Sequence, residues 1–211
     1  MSHTIFKITL FLSALALSAF GKVNIDVYMM SKCPDAVRGM KDLAAVYYDN
    51  LSNVDLRFNY IGDLNETSTY GVTCMHGDYE ASINECFGNI QQLCVQEKLG
   101  TDAALQYVLC EDRDIKRIGT YSKFVECLHT STIAKWMSVA RCTVSDEGKK
   151  LLQKNVADTK SKGMKTSLTF TLNGKQRCIF DSGHWVAPED GCPGGGSVPD
   201  FSKSIQDELS N

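Results

Sequence analysis

Cysteine content is the strongest constraint on how this chain of 211 residues can fold. It carries nine cysteines, the first of them Cys33. Many cysteines in one small domain are typical of proteins that fold in an oxidising compartment, where disulfides hold the chain together. An odd number leaves at least one thiol free or paired with another molecule. The count therefore predicts a disulfide-stapled domain with one cysteine left over.

The N-terminal segment, residues 1–21, predicts a secretory signal peptide that agrees with this cysteine usage. Lys7 supplies positive charge, and an almost unbroken apolar run from Ile8 to Ala19 follows it, with small residues at Ala19 and Gly21. A buried N-terminal helix is the alternative, but a run that abuts the chain start favours the signal peptide. The mature protein would begin near Lys22, secreted or lumenal (extracellular, or in a lysosome or vacuole).

The net charge and the hydropathy argue against a nucleic-acid partner and against a membrane span. A net charge of −3 argues against a dedicated nucleic-acid surface. No stretch after residue 20 is long and apolar enough to be a membrane span. Asn50-Leu51-Ser52 and Asn65-Glu66-Thr67 match the acceptor pattern for N-glycosylation, which makes a secreted glycoprotein the expectation.

The order of periodic segments predicts an α/β fold. Val23–Met29 reads as a strand, Ser31–Asp35 breaks it, and apolar residues then recur at helical spacing from 35 to 50. A second strand follows at Val54–Ile61. Strand, turn, helix and strand open a thioredoxin-like fold.

The rest of the chain completes that fold with an insertion. The middle is helical in character, and strand patterns return near the C-terminus around Asn173-Gly174, a strong two-residue hairpin turn. The prediction is one disulfide-stapled, thioredoxin-like domain over residues 22–211, with a helical insert at about 74–160. The C-terminal elements are predicted at Ser167–Leu172, Lys175–Phe180 and Pro199–Leu209.

Cys33 is the candidate reactive residue because it follows the first strand and begins the first helix. Backbone amides and the helix dipole at such a position favour an anion, here the thiolate that attacks disulfides. Lys32 adds positive charge, Asp35 partly opposes it, and Pro34 suits the first helical turn. The alternative is that Cys33 forms half of a structural disulfide, although its placement favours the reactive interpretation.

Two features of an ordinary dithiol reductase are missing. A Cys-x-x-Cys motif ends in a second cysteine, which resolves the mixed disulfide. Alanine stands at that position in Cys33-Pro34-Asp35-Ala36. An external small thiol or a distant cysteine would have to complete the cycle. Thioredoxin-fold redox enzymes also place a cis-proline opposite the active cysteine, but residues 165–169 contain no proline. The substrate-docking backbone there is therefore expected to be altered, or to use an ordinary trans peptide.

A second cluster of residues carries a family resemblance. The chain reads Cys74-Met75-His76-Gly77, then Glu85-Cys86, Asn89 and Cys94. It resembles the signature of the gamma-interferon-inducible lysosomal thiol reductase (GILT) family: Cys-Gln-His-Gly, two residues, Glu-Cys, two residues, Asn, four residues, Cys. Met75 stands where the family has Gln, and seven residues rather than two precede Glu85. The C-terminal part, with Asn173-Gly174-Lys175, Arg177-Cys178 and Cys192-Pro193-Gly194-Gly195, looks like fungal members.

The resemblance implies a thiol-disulfide oxidoreductase of acidic lumenal compartments. Cys33 would be the catalytic residue, disulfide-bonded proteins the substrates, and a small-molecule thiol the reductant. No cofactor is expected, because sulfur carries the redox chemistry. The other cysteines are expected to pair mostly with each other, with Cys178–Cys192 a plausible pair closing a loop. These structural cysteines are Cys74, Cys86, Cys94, Cys110, Cys127, Cys142, Cys178 and Cys192.

Three alternatives remain open at this point. Cys74, His76, Cys86 and Cys94 could bind zinc, but their spacing is unusual for zinc and the secretory context favours disulfides. His76 reads as a local hydrogen-bonding residue rather than a catalytic base, since the sequence shows no acid paired with it. The whole chain could instead be a catalytically impaired secreted binding module on the same scaffold. A buried, bonded Cys33 would favour the module, and an exposed, free Cys33 the enzyme.

Overall fold

A five-stranded mixed sheet forms the centre of the computed structural model, which describes residues 21–76, 85–186 and 192–210. The predicted signal peptide lies almost wholly outside these residues. The strands of this sheet are β1 (Val23–Met29), β2 (Val54–Tyr60), β5 (Thr169–Leu172), β6 (Lys175–Asp181) and β7 (His184–Val186). Two short strands, β3 (Asp63–Leu64) and β4 (Val72–Thr73), form a separate hairpin.

The strand order confirms the predicted α/β class. The order is β2-β1-β5-β6-β7, with β1 parallel to β2 and every other neighbouring pair antiparallel. The first predicted strand and the late one therefore lie in one sheet, with Ile25 opposite Leu172. The predicted hairpin turn is also present: Asn173 and Gly174 have φ of 48° and 80°, the left-handed values that such a turn requires.

The first helix, α1 (Pro34–Asp49), packs closely against the sheet. Its buried face carries Met40 and Leu43, at the spacing that predicted it. A Cβ on Gly39 would lie 2.8 Å from both Leu168 Cδ2 and Phe180 Cγ, so glycine permits the close approach. This contact fixes the helix, and with it the position of its N-terminus.

Helices dominate residues 85–161, where the insertion was predicted. A 3₁₀ helix (Asp112–Arg117) separates the third and fourth helices of the chain. Among the described residues, no helix is both long enough and apolar enough to cross a bilayer. The helices are α2 (Glu85–Leu99), α3 (Thr101–Glu111), α4 (Tyr121–Cys127), α5 (Ile133–Val144) and α6 (Asp146–Ser161), and α7 (Val198–Leu209) follows the sheet.

Four disulfides use the eight cysteines predicted to be structural. Within the helical region, Cys94–Cys142 joins α2 to α5, and Cys110–Cys127 joins α3 to α4. Cys74–Cys86 ties the end of β4 to α2, and the predicted pair Cys178–Cys192 ties β6 to the segment before α7. The zinc alternative fails because its three cysteines are bonded as disulfides.

Side-chain amides cover the outer edge of β2. Phe58 N donates to Gln96 Oε1 (3.2 Å), and Gln96 Nε2 donates to Leu56 O (3.4 Å). Tyr60 N donates to Asn155 Oδ1 (2.6 Å), and Asn155 Nδ2 donates to Phe58 O (3.3 Å). Because Gln96 lies on α2 and Asn155 on α6, these bonds also fasten the helical region to the sheet.

A buried polar network lies between the sheet and α2 and α3. Tyr60 Oη donates to Gln92 Oε1 (2.6 Å), and Gln92 Nε2 donates to Glu111 Oε2 (2.7 Å). Tyr107 Oη donates to the other carboxylate oxygen of Glu111 (2.8 Å). Burial raises the pKa of Glu111 to about 7, against the opposing effects of these two hydrogen bonds and the charge of Lys123.

Candidate active site around Cys33

Cys33 lies at the N-terminus of α1, after a turn of three residues that follows the C-terminal end of β1. It is the N-cap residue in extended conformation, and its side chain makes no capping hydrogen bond. Its backbone N donates to Met30 O (3.0 Å), and its carbonyl accepts from Val37 N (3.1 Å), so the turn into the helix is fixed. The thiol is half-buried and unpaired. The prediction of one unpaired cysteine at this helix start is confirmed.

The thiol rests on a small apolar cluster. Cys33 packs against Tyr28, Met30 and Ile61, all of which are buried. Met164, from the segment after α6, packs against the same three residues. Apolar side chains and the thioether of a methionine therefore flank Cys33 on this side.

A buried carboxylate holds the loop that precedes Cys33. Glu85, the first residue of α2, is fully buried. Its Oε1 accepts from Lys32 N (3.0 Å) and contacts His76 Nδ1 (3.0 Å), and its Oε2 accepts from His76 N (2.9 Å). Burial lowers the pKa of the Lys32 ammonium, and the negative charge of Glu85 opposes that change. Glu85 is thus the acid paired with His76 that sequence reasoning did not find.

Two further signature residues complete this clamp. Ser31 N donates to Asn89 Oδ1 (3.3 Å), and Asn89 Nδ2 donates to Cys74 Sγ (3.6 Å). Cys74 is itself bonded to Cys86, one residue after Glu85. The signature therefore acts structurally in one place: it locks the 31–33 loop to α2. Its grouping in the sequence was the available indication that these residues belong together.

The segment before β5 faces the same loop. Ser167 Oγ accepts from Met30 N at 3.0 Å, so this segment is bound to the end of β1. The peptide bond between Ser167 and Leu168 is cis. The sequence analysis left open either an altered backbone or an ordinary trans peptide at the place of the missing proline. The expectation of a trans peptide is wrong at this bond.

Ala36 occupies the position of a resolving cysteine and is almost completely buried, at 1% exposure. Every cysteine of the chain except Cys33 is in a disulfide. A second free thiol within the chain is therefore not present to complete a dithiol cycle.

The two predicted glycosylation acceptors differ in environment. Asn65 is half-exposed in the turn between β3 and β4, and its Nδ2 makes one bond, to Thr73 Oγ1 (2.9 Å). Asn50 is 4% exposed at the end of α1, and its Nδ2 donates both to Val46 O (2.9 Å) and to Ser202 Oγ (3.0 Å). A glycosylated asparagine keeps only one N–H, so a glycan on Asn50 would break this junction with α7.

We therefore expect a glycan on Asn65 and none on Asn50 in protein from a secretory host. Peptide mass spectrometry before and after enzymatic deglycosylation would measure occupancy at each site. Asn65→Gln should remove the whole glycan-dependent mass difference. Substantial occupancy at Asn50 would contradict this expectation, because it requires a different packing of α1 on α7.

Comparison with known proteins adds sequence and fold relatives. Residues 24–158 match the family profile described as gamma interferon inducible lysosomal thiol reductase (GILT). A GILT-like protein of Anopheles gambiae is 30% identical over 168 residues, covering 72% of this chain and 67% of the relative. The GILT of Carassius auratus is 23% identical over 141 residues, covering 65% of this chain and 53% of the relative.

Solved structures share the fold at low identity. The cytosolic disulfide reductase DsbM of Pseudomonas aeruginosa, solved with GSH, has a TM-score of 0.59 and 13% identity, covering 89% of this chain and all of that one (100%). Oxidised BdbD of Bacillus subtilis has a TM-score of 0.57 and 11% identity, covering 90% and 91%. These likenesses establish the thioredoxin-like fold with its helical insertion.

Proposed function

Because this chain belongs to the gamma interferon inducible lysosomal thiol reductase family, which is a family of oxidoreductases acting on sulfur groups, we propose that it reduces protein disulfides through one reactive thiolate, that of Cys33. The observation that carries the proposal is the state of this residue. Cys33 is unpaired and partly exposed at a helix N-terminus, whereas the other eight cysteines are in disulfides. A free, accessible thiol is also the feature that favours an enzyme over a binding module.

The first step is attack on the substrate. The Cys33 thiolate forms a bond to one sulfur of the substrate disulfide, and the substrate S–S bond breaks. The electron pair of that bond leaves on the second substrate sulfur, which takes a proton and becomes a thiol. The N-terminal amides of α1 favour the attacking anion. The clamp from Glu85 and Asn89 keeps the loop in place for this step.

The second step requires a small external thiol, because Ala36 has no sulfur. One molecule of this thiol, as thiolate, attacks the Cys33 sulfur of the mixed disulfide and releases the second substrate thiol. Another molecule attacks the new mixed disulfide, regenerates Cys33 and leaves as the oxidised small disulfide. Two electrons and two protons thus pass from two small thiols to the substrate. GSH, with which the structurally similar bacterial reductase was solved, is a thiol of this class.

The proposed setting is a secreted or lumenal compartment containing disulfide-bonded proteins. Four structural disulfides suit an oxidising environment, and the family name points to the lysosome. Reduction in such a setting depends on supply of the small thiol.

The test is to restore the missing sulfur with Ala36→Cys. Without external thiol, the wild-type protein should stop after one turnover with a mixed disulfide on Cys33, visible by mass spectrometry of the acid-quenched protein. Ala36→Cys should release the substrate instead, because an intramolecular thiol acts at an effective concentration of about millimolar or more. In steady state, the external thiol needed for half-maximal rate should fall by at least about tenfold.

Ala36→Ser is the matched control, because serine is close to cysteine in size but cannot resolve a disulfide. It should retain the wild-type dependence on external thiol. A mixed disulfide found on a cysteine other than Cys33, or no mixed disulfide at all, would refute the single-thiol mechanism.

A further inference from the structure

A cavity opens beside the apolar cluster that carries Cys33. Its volume is about 360 Å³, enough for a large side chain. Three methionines contribute to its wall, and methionine side chains adapt their shape to varied apolar ligands. The residues of the wall that bear on the argument are Met30, Ile61, Met75, Thr159 and Met164.

The cavity shares residues with the cluster against which Cys33 packs. Met30 and Ile61 line it, and the same two residues, with Tyr28, form the cluster against which Cys33 packs. Met164 also belongs to both. A polypeptide whose disulfide is attacked by Cys33 would therefore bring its neighbouring residues to this cavity.

Met75 is the exposed lip of the cavity. Its exposed fraction is 72%, an unusual exposure for such an apolar side chain. The backbone next to it is constrained, because its neighbour His76 is bound through both its backbone N and its ring to Glu85, which also holds Lys32. Met75 is also the residue at which this chain departs from the family signature, since the family has Gln there. The lip is therefore more apolar here than the signature prescribes.

A polar atom in the same wall has no partner. Thr159 is 2% exposed, and its hydroxyl makes no hydrogen bond to any described residue. A buried hydroxyl without a partner is costly, and such groups usually have one. An extended peptide offers an apolar side chain for the methionines of this wall.

We propose that this cavity binds an apolar side chain of the substrate polypeptide, one that flanks the disulfide cysteine, and that Met75 sets the preference for it. The inference rests on the proposed reductase function and names its substrate class: disulfides in segments with Leu-like side chains near the cysteine.

The test uses short synthetic peptides, each joined through one cysteine to a common fluorescent thiol that reports cleavage. The peptides differ only in having Leu or Ser at one of the positions flanking the cysteine. We compare kcat/KM, with excess small thiol, for wild type, Met75→Gln and Met137→Gln. Met75→Gln installs the family residue, and Met137→Gln makes the same change at an exposed methionine on α5, where 51% of the residue is accessible.

At the flanking position that reaches the cavity, wild type should cleave the Leu peptide about tenfold faster than the Ser peptide. Met75→Gln should reduce this ratio to roughly threefold or less, whereas Met137→Gln should keep the wild-type ratio. No preference at any position, or an equal ratio in wild type and Met75→Gln, would overturn the proposal. Failure of the reductase function itself looks different: wild type and Cys33→Ser would then cleave every peptide at the same background rate.

Discussion

Replacing Cys33 with serine is expected to abolish disulfide reduction. A serine hydroxyl does not form the mixed disulfide, so the observed rate should fall to that of the external thiol alone. Removing a covalent nucleophile costs several orders of magnitude in other enzymes, and a loss of roughly a thousandfold or more is expected here. The measurement is reduction of a disulfide-bonded protein or peptide with excess small thiol, corrected for the reaction without protein.

The same substitution should leave the fold intact, which makes the result interpretable. Cys33 belongs to no disulfide and makes no capping hydrogen bond, and serine is among the preferred N-cap residues. The free energy of unfolding should stay equal or rise by about 1 kcal/mol, as urea denaturation would show. If wild type and a folded Cys33→Ser protein both show only the background rate, the chain is a binding module rather than an enzyme.

The second large effect concerns stability against pH. We expect the protein to be more stable at pH 5 than at pH 8, through Glu111. Burial raises the pKa of Glu111 in the folded state to about 7, from an ordinary value of 4.5. Folding therefore favours the protonated acid, so this contribution is fully present below about pH 4.5 and is lost as pH rises through about 7. The difference amounts to about 3 kcal/mol.

Urea unfolding with intact disulfides at a series of pH values would measure this effect. Glu111→Gln, a neutral analogue of the protonated acid, should remove most of the pH dependence between 4.5 and 7. Burial also raises the pKa of Asp112, so part of the dependence should persist in the variant. Glu97→Gln, on the exposed face of α2, is the matched control and should leave the wild-type dependence unchanged. If Glu111→Gln keeps the full dependence, Glu111 is not its source.

Local sequence signals predicted the elements that position Cys33. Alternating residues marked β1, and the Asn173-Gly174 turn marked the hairpin, because both patterns are set by neighbouring residues. The presence of one unpaired thiol was predicted from the odd number of cysteines. The strand predicted to begin at Ser167 begins at Thr169 in the structure. Ser167 instead accepts a hydrogen bond from Met30 N through its side chain, outside the strand ladder.

Contacts between distant segments could not be predicted in the same way. The sequence showed no acid paired with His76, because Glu85 lies nine positions further along the chain and the contact between the two forms only in the tertiary structure. Disulfide partners such as Cys94 and Cys142 depend on how α2 packs on α5, which spacing alone does not determine. The burial of Asn50 under α7 likewise required the tertiary structure.

The amide-covered edge of β2 has a consequence for the proposed reduction of disulfides in other polypeptides. Exposed strand edges recruit other extended polypeptides and seed aggregates. Gln96 and Asn155 occupy the backbone groups of β2 that would template such growth, so an incoming strand must first displace four hydrogen bonds. If Cys33 holds a polypeptide as a mixed disulfide, as we propose, these four hydrogen bonds would disfavour pairing of that polypeptide with β2 as a sixth strand of the sheet.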